Sequence, residues 1–221
     1  MKYLFILFLS LFFFPAKGFS YYNDDINQVL YSASSSFNKV SFNMLKAIAK
    51  VESNFNPWAI NIAGKPYHFT SKETALNFVK PAFNDGKSID FGLMQINSWW
   101  LKKYDISVEA VLDPVANAYL GSWILNNEIN NHNTLDDAIG AYHSPNKHKA
   151  NKYLSIVKKA LNNIEDNEDK KFFSKDFDYD LNSSPILVKS KNSVFVSSES
   201  MLIDQNISSM KVPIRKKEVS K

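Results

Sequence analysis

The sequence predicts a mainly α-helical domain with one small β-like or irregular patch, followed by a poorly ordered C-terminal tail. Three observations carry this. Apolar residues recur at spacings of three and four from Ile26 to Leu161. Helix-start residues stand directly ahead of most of those runs. In that part of the chain the β-like pattern is confined to short runs around Gly64-Lys65-Pro66.

Taken in order, Ile26, Val29, Leu30, Ala33 and Phe37 form one apolar stripe on a helix from Ile26 to Val40, with Ser34 to Ser36 weakening its end. Ser41 caps a second helix through Leu45, Ile48, Ala49 and Glu52, which Asn54 to Pro57 stop, so the Glu52 carboxylate falls in the last turn near the core side. Ala59 to Ile62 and Tyr67 to Phe69 flank the glycine-proline turn as a small hairpin or irregular loop. Thr70 or Ser71 then caps a helix to about Val79, and Asn84 to Ser88 is a surface turn. After the apolar run Phe91-Gly-Leu-Met94, Asn97 caps a short helix, Ser98 to Tyr104. Asp113-Pro114 starts a helix carrying Val115, Tyr119, Trp123, Ile124 and Ile129 to about Asn131. Thr134 with Asp137 opens the next, which runs to His143 and is ended by Pro145. Tyr153, Ile156, Val157 and Leu161 mark the last.

Composition narrows the function classes. The chain has 221 residues, 45% of them hydrophobic, enough for one compact domain with length to spare. Lys and Arg number 26 against 22 Asp and Glu, a net charge of +4. That excess is too small and too dispersed for a dedicated nucleic-acid binder. With no cysteine, disulfide scaffolds, thiolate zinc sites, iron–sulfur clusters and cysteine nucleophiles are excluded.

Residues 1–18 read as a cleaved signal peptide: Met1-Lys2, an uncharged apolar run from Tyr3 to Phe14, then Pro15 and the small residues Ala16 and Gly18. The run is shorter than the roughly 20 residues a spanning helix needs. Residues 19–164 are then the folded domain, exported to the periplasm or secreted, with no stable membrane anchor. From 165 to 221 the chain is crowded with Asp, Lys, Asn and Ser, apart from two β-like triplets, Ile186 to Val188 and Val194 to Val196. This segment reads as a solvated tail or as a tether to a partner.

Dinucleotide-binding, phosphate-loop, zinc-protease and nucleophile-elbow motifs are missing. The four histidines, His68, His132, His143 and His148, are scattered and propose no metal site. What remains is Glu52, flanked by Val51 and Phe55, where desolvation would raise a carboxyl pKa and keep the group a proton donor near neutrality. An exposed helix-end glutamate is the alternative. A glycosidase with two carboxylates would need a second, for which Asp90 is the best local candidate.

Glu52-Ser53 after an amphipathic helix, then Gly92-Leu-Met-Gln-Ile-Asn97, then Ala141-Tyr-His-Ser144, in that order, resembles the lytic transglycosylase family with the lysozyme-like fold. The likeness covers about Phe42 to Leu161. Lys65-Pro-Tyr67 with Asp90 to Ser98 looks most like the subgroup attached to type IV secretion, conjugation and related assembly systems. The resemblance implies that one glutamate, here Glu52, first protonates the glycosidic oxygen between N-acetylmuramic acid and N-acetylglucosamine. It then takes a proton from the muramyl C6 hydroxyl, leaving a 1,6-anhydromuramyl end without hydrolysis. It also implies substrate-binding roles for Ser53, Gln95 and Tyr142, peptidoglycan strands and assembly-machine components as partners, and no metal or organic cofactor.

One departure stands out. Many members read Ala-Tyr-Asn-Ala/Ser-Gly at the third motif, where this chain has Ala141-Tyr-His-Ser-Pro145. The change introduces a group that titrates near neutrality. Two rival readings are a lysozyme of the same fold, which would hydrolyse the same bond, and a non-catalytic cell-wall-binding adaptor acting through the tail.

Overall fold

The computed structural model describes residues 20–168, within which eight helices enclose a small antiparallel sheet. The expected mainly helical class with one β patch is what is seen. The expected signal segment, 1–18, lies outside the described residues, as does the tail from 169 onward.

Helix α1 (Ser20–Ser35) ends at the serine run, short of the expected Val40, and Ser34 and Ser35 both turn their hydroxyls onto the Tyr31 carbonyl. Helix α2 (Phe42–Ser53) follows directly, with Ser41 Oγ accepting from the Met44 amide. Its end is sharp: Asn54 and Phe55 both take left-handed backbone angles, φ 52° and 66°. For a bulky residue such as Phe55 this is strained, and it turns the chain back immediately after Glu52 and Ser53.

Strands β1 (Ile60–Ile62) and β2 (Lys65–Tyr67) form a hairpin, the first of the two forms expected there, but β2 takes in Lys65 and Pro66 of the expected turn and stops at Tyr67 rather than Phe69. The sheet is larger than the sequence indicated. Strands β3 (Ile89–Phe91) and β4 (Ile96–Asn97) extend it in the order β2-β1-β3-β4. Between the two pairs lies α3 (Lys72–Asn84), which continues past the expected end near Val79 and runs through Pro81. The hydrogen bond lost at Pro81 would have gone to the Asn77 carbonyl; both residues are exposed, so water can take its place. Beyond the proline, Ala82 is buried and Phe83 packs edge-on to Phe91, which holds the last turn.

Asn97 caps α4 (Ser98–Tyr104), and a short α5 (Val108–Val111), not foreseen, is capped by Ser107. Asp113 caps α6 (Pro114–Asn131) by accepting from the Val115 and Ala116 amides. This helix is the axis of the core. Residues 116–125 are buried without a break, so it is covered all round rather than along the single expected stripe. Helix α7 (Leu135–His143) begins at the Thr134–Asp137 cap and α8 (Lys147–Glu168) runs into the first residues of the segment assigned to the tail. Leu45 and Ile48 of α2, Leu120 and Leu125 of α6, and Tyr153 and Val157 of α8 belong to one hydrophobic core.

Candidate active site

Glu52 occupies the last turn of α2, partly buried, with Asp90 of β3, Tyr142 of α7 and Tyr153 of α8 near it. Burial is the main cause that lifts its carboxyl pKa from 4.5 to about 7. The neighbouring Tyr153 hydroxyl opposes the shift, and the negative charge of Asp90 adds to it. Glu52 is therefore about evenly divided between acid and base near neutrality, the condition for one group to serve in both roles.

Asp90 reaches this site through sheet register. It lies opposite Asn61 on β1 and Asn97 on β4, so the three share one face of the sheet, while Ile89 and Phe91 on either side of it point into the core. Asn97 Nδ2 donates to Asp90 Oδ1 at 2.7 Å. Burial raises the Asp90 pKa, and the Asn97 bond and the nearby His143 partly offset that.

The wall beside Glu52 is the turn Phe91–Gln95 between β3 and β4. Four consecutive carbonyls in it each accept a side-chain donor. Asn117 Nδ2 bonds the Phe91 oxygen at 2.9 Å, Gln95 Nε2 that of Gly92 at 2.9 Å, Ser53 Oγ that of Leu93 at 2.8 Å, and the Tyr142 hydroxyl that of Met94 at 2.9 Å. Asn117 Oδ1 also accepts from the Met94 amide at 2.7 Å, and Gln95 Nε2 reaches the Ala59 carbonyl at 3.1 Å. The turn needs Gly92: at φ +74° a Cβ there would stand 2.5 Å from Asn117 Nδ2 and 3.1 Å from the Pro57 oxygen. Gln95 is itself left-handed, φ 48°.

Of the residues singled out with Glu52, Ser53 follows it directly and Tyr142 is coupled to it, and these two and Gln95 each spend a donor on the turn. Ser53 is 4% exposed, which makes its hydroxyl a tie between α2 and the turn. Tyr142 is kept protonated, and so a donor, by burial and by the charges of Glu52 and Asp90.

Two members of the site escaped the sequence. Tyr153 was legible only as a core position of the last helix, but its hydroxyl lies beside Glu52 and, although buried, makes no well-formed hydrogen bond. Its ring stacks on that of His143, centroids 4.5 Å apart and planes 5° apart. Asn117 was passed over; the signal was an amide inside a helix whose neighbours are all apolar, since a buried amide must find partners. Among the described residues no group of three His, Asp or Glu side chains is arranged to hold a metal ion.

The Transglycosylase SLT domain profile matches residues 30–165. Relatives include protein virB1 of Agrobacterium fabrum (strain C58), 32% identical over 109 residues, which is 45% of this chain and 44% of that protein. Protein virB1 of Rhizobium radiobacter is 30% identical over 136 residues, 57% of each chain. The type IV secretion system protein virB1 of Brucella abortus (strain 2308) is 33% identical over 86 residues, 37% of this chain and 35% of that one. The chain spans about half the length of the first two and about a third of the last. No solved structure matches. With the profile covering more than half of its length, the chain belongs to the Transglycosylase SLT domain family.

Proposed function

We propose that this protein is a peptidoglycan lytic transglycosylase that opens the cell wall locally for a type IV secretion or conjugation apparatus. The observation that carries the reading is Glu52, set between Tyr153 and Asp90 with its pKa lifted to about 7. In the first half-reaction protonated Glu52 gives its proton to the glycosidic oxygen as the bond from muramyl C1 breaks, releasing the N-acetylglucosamine side. In the second, the Glu52 carboxylate accepts the proton of the muramyl C6 hydroxyl while that oxygen bonds C1. Glu52 ends protonated, and no water is consumed.

Ser53 and Tyr142 serve the reaction by holding the Phe91–Gln95 wall against Glu52, and Gln95, its nitrogen committed to that wall, offers Oε1 to a glycan donor. The name of the Brucella relative supports the secretion role. Export through a signal peptide at residues 1–18 suits a substrate outside the cytoplasmic membrane, and no helix among the described residues is long and apolar enough to cross a membrane.

Asp90 beside Glu52 favours a second reading, a hydrolase in which its carboxylate orients an attacking water. Both readings require Glu52. Glu52→Gln is expected to retain its circular-dichroism spectrum and to lose about 10²–10⁴ in the rate of muropeptide release from purified peptidoglycan, the usual size of a general acid step. Unchanged release would overturn both, because cleavage would then not need Glu52; no release by the folded wild-type chain would favour a wall-binding adaptor.

A further inference from the structure

We infer that His143 is a substrate-contacting residue whose neutral imidazole hydrogen-bonds a hydroxyl or N-acetyl group of a glycan bound beside Glu52, and that protonation of the ring weakens this contact. The inference rests on the proposed reading of the site as a glycan cleft.

His143 is the last residue of α7, directly after Tyr142, and is exposed to solvent. One face of its ring lies flat on Tyr153, which fixes the ring plane. Neither ring nitrogen makes a hydrogen bond among the described residues, so a rigidly held donor and acceptor stand unused at the rim of the site. A neutral imidazole offers one N–H and one lone pair, matching the paired donors and acceptors of sugar hydroxyls and N-acetyl groups; an imidazolium offers donors alone. Because the ring is already oriented, little freedom is lost on binding.

The groups facing His143 decide when it is neutral. Asp90 approaches from β3 and favours the proton, and Lys149 on α8 disfavours it. Tyr153 on α8 and Tyr142 on α7 stay protonated and uncharged, and Glu52 on α2 is coupled to both tyrosines. Burial of part of the ring is the largest influence and holds its pKa below the ordinary 6.5. The contact is therefore intact at neutral pH and fades on acidification, as the ring gains a proton opposite Asp90.

The test is binding of a defined tetrasaccharide of alternating N-acetylglucosamine and N-acetylmuramic acid to the full chain carrying Glu52→Gln, followed by calorimetry without turnover. Affinity should fall about three- to tenfold between about pH 7 and about pH 5, the size of one hydrogen bond. Adding His143→Asn, which keeps a donor and an acceptor but does not titrate, should preserve the neutral-pH affinity and abolish the fall. Adding His143→Phe, which keeps the stack on Tyr153 without the polar edge, should bind at the weakened level at both pH values. Full affinity in the phenylalanine variant would overturn the inference. So would a fall at low pH that persists in the asparagine variant, which would assign it to Asp90. No binding by the Glu52→Gln parent at either pH would overturn the glycan reading itself, and the inference with it.

Discussion

The two sides of the Glu52 site are built by opposite rules. On the sheet side, every carbonyl from Phe91 to Met94 is matched to a side-chain donor, and those donors come from α2, α6, α7 and the turn itself. On the α7–α8 side, the Tyr153 hydroxyl is turned to Glu52, and both His143 nitrogens are left without hydrogen bonds among the described residues, in a ring locked face to face on that of Tyr153. The difference separates support from recognition. A wall that must not move satisfies its polar groups internally, whereas a ring held by packing alone keeps its polar atoms unspent, which suits the glycan contact proposed for His143.

Breaking the clamp should have the largest effect. Asn117→Leu removes the donor to the Phe91 and Val111 carbonyls and the acceptor of the Met94 amide, all buried. The expected loss is about 3 kcal/mol or more of unfolding free energy in urea denaturation, because each group is stranded away from water. Gly92→Ala should act on the same unit: its loss, added to that of Asn117→Leu, should exceed the loss in the double variant, since the new Cβ displaces the Asn117 side chain and so breaks the same hydrogen bonds that Asn117→Leu removes.

The next effect concerns charge. Glu52 binds its proton more tightly folded, with a pKa of about 7, than unfolded, near 4.5. Its contribution is fully present below about pH 4.5 and is lost as pH rises through 7. Wild-type protein should therefore lose stability from pH 5 to pH 8 relative to Glu52→Gln, by about 1–3 kcal/mol, in paired denaturation curves. The smallest effect is at the junction of the two sides. Tyr142→Phe keeps the ring but strips the Met94 carbonyl of its donor, and should cost about 1 kcal/mol in the same assay.

What was legible in the sequence was what is decided locally. Ser41, Asn97, Asp113 and Thr134 cap the helices expected of them, and Ser71 rather than Thr70 caps α3, because capping needs only the next turn of backbone. Glu52, Ser53, Gln95 and Tyr142 were recognisable from motifs that spread over about ninety residues, and the fold gathers them. The extension of the sheet by β3 and β4 was not legible, since short strands pair only once distant segments meet. Helix α3 outlasts its proline through a contact, Phe83 on Phe91, that spacing does not reveal. Asn117 and Tyr153 were hidden for the same reason: their polar atoms meet the turn and Glu52 only in three dimensions.

The most direct test of the central claim, that one buried glutamate cleaves the glycan strand without water, is mass spectrometry of muropeptides released from purified peptidoglycan by the full chain. Products ending in 1,6-anhydromuramic acid, lighter by one water than the reducing form, are the predicted result. Reducing ends would contradict it and favour the hydrolase reading, in which Glu52 is still the acid and Asp90 orients the attacking water.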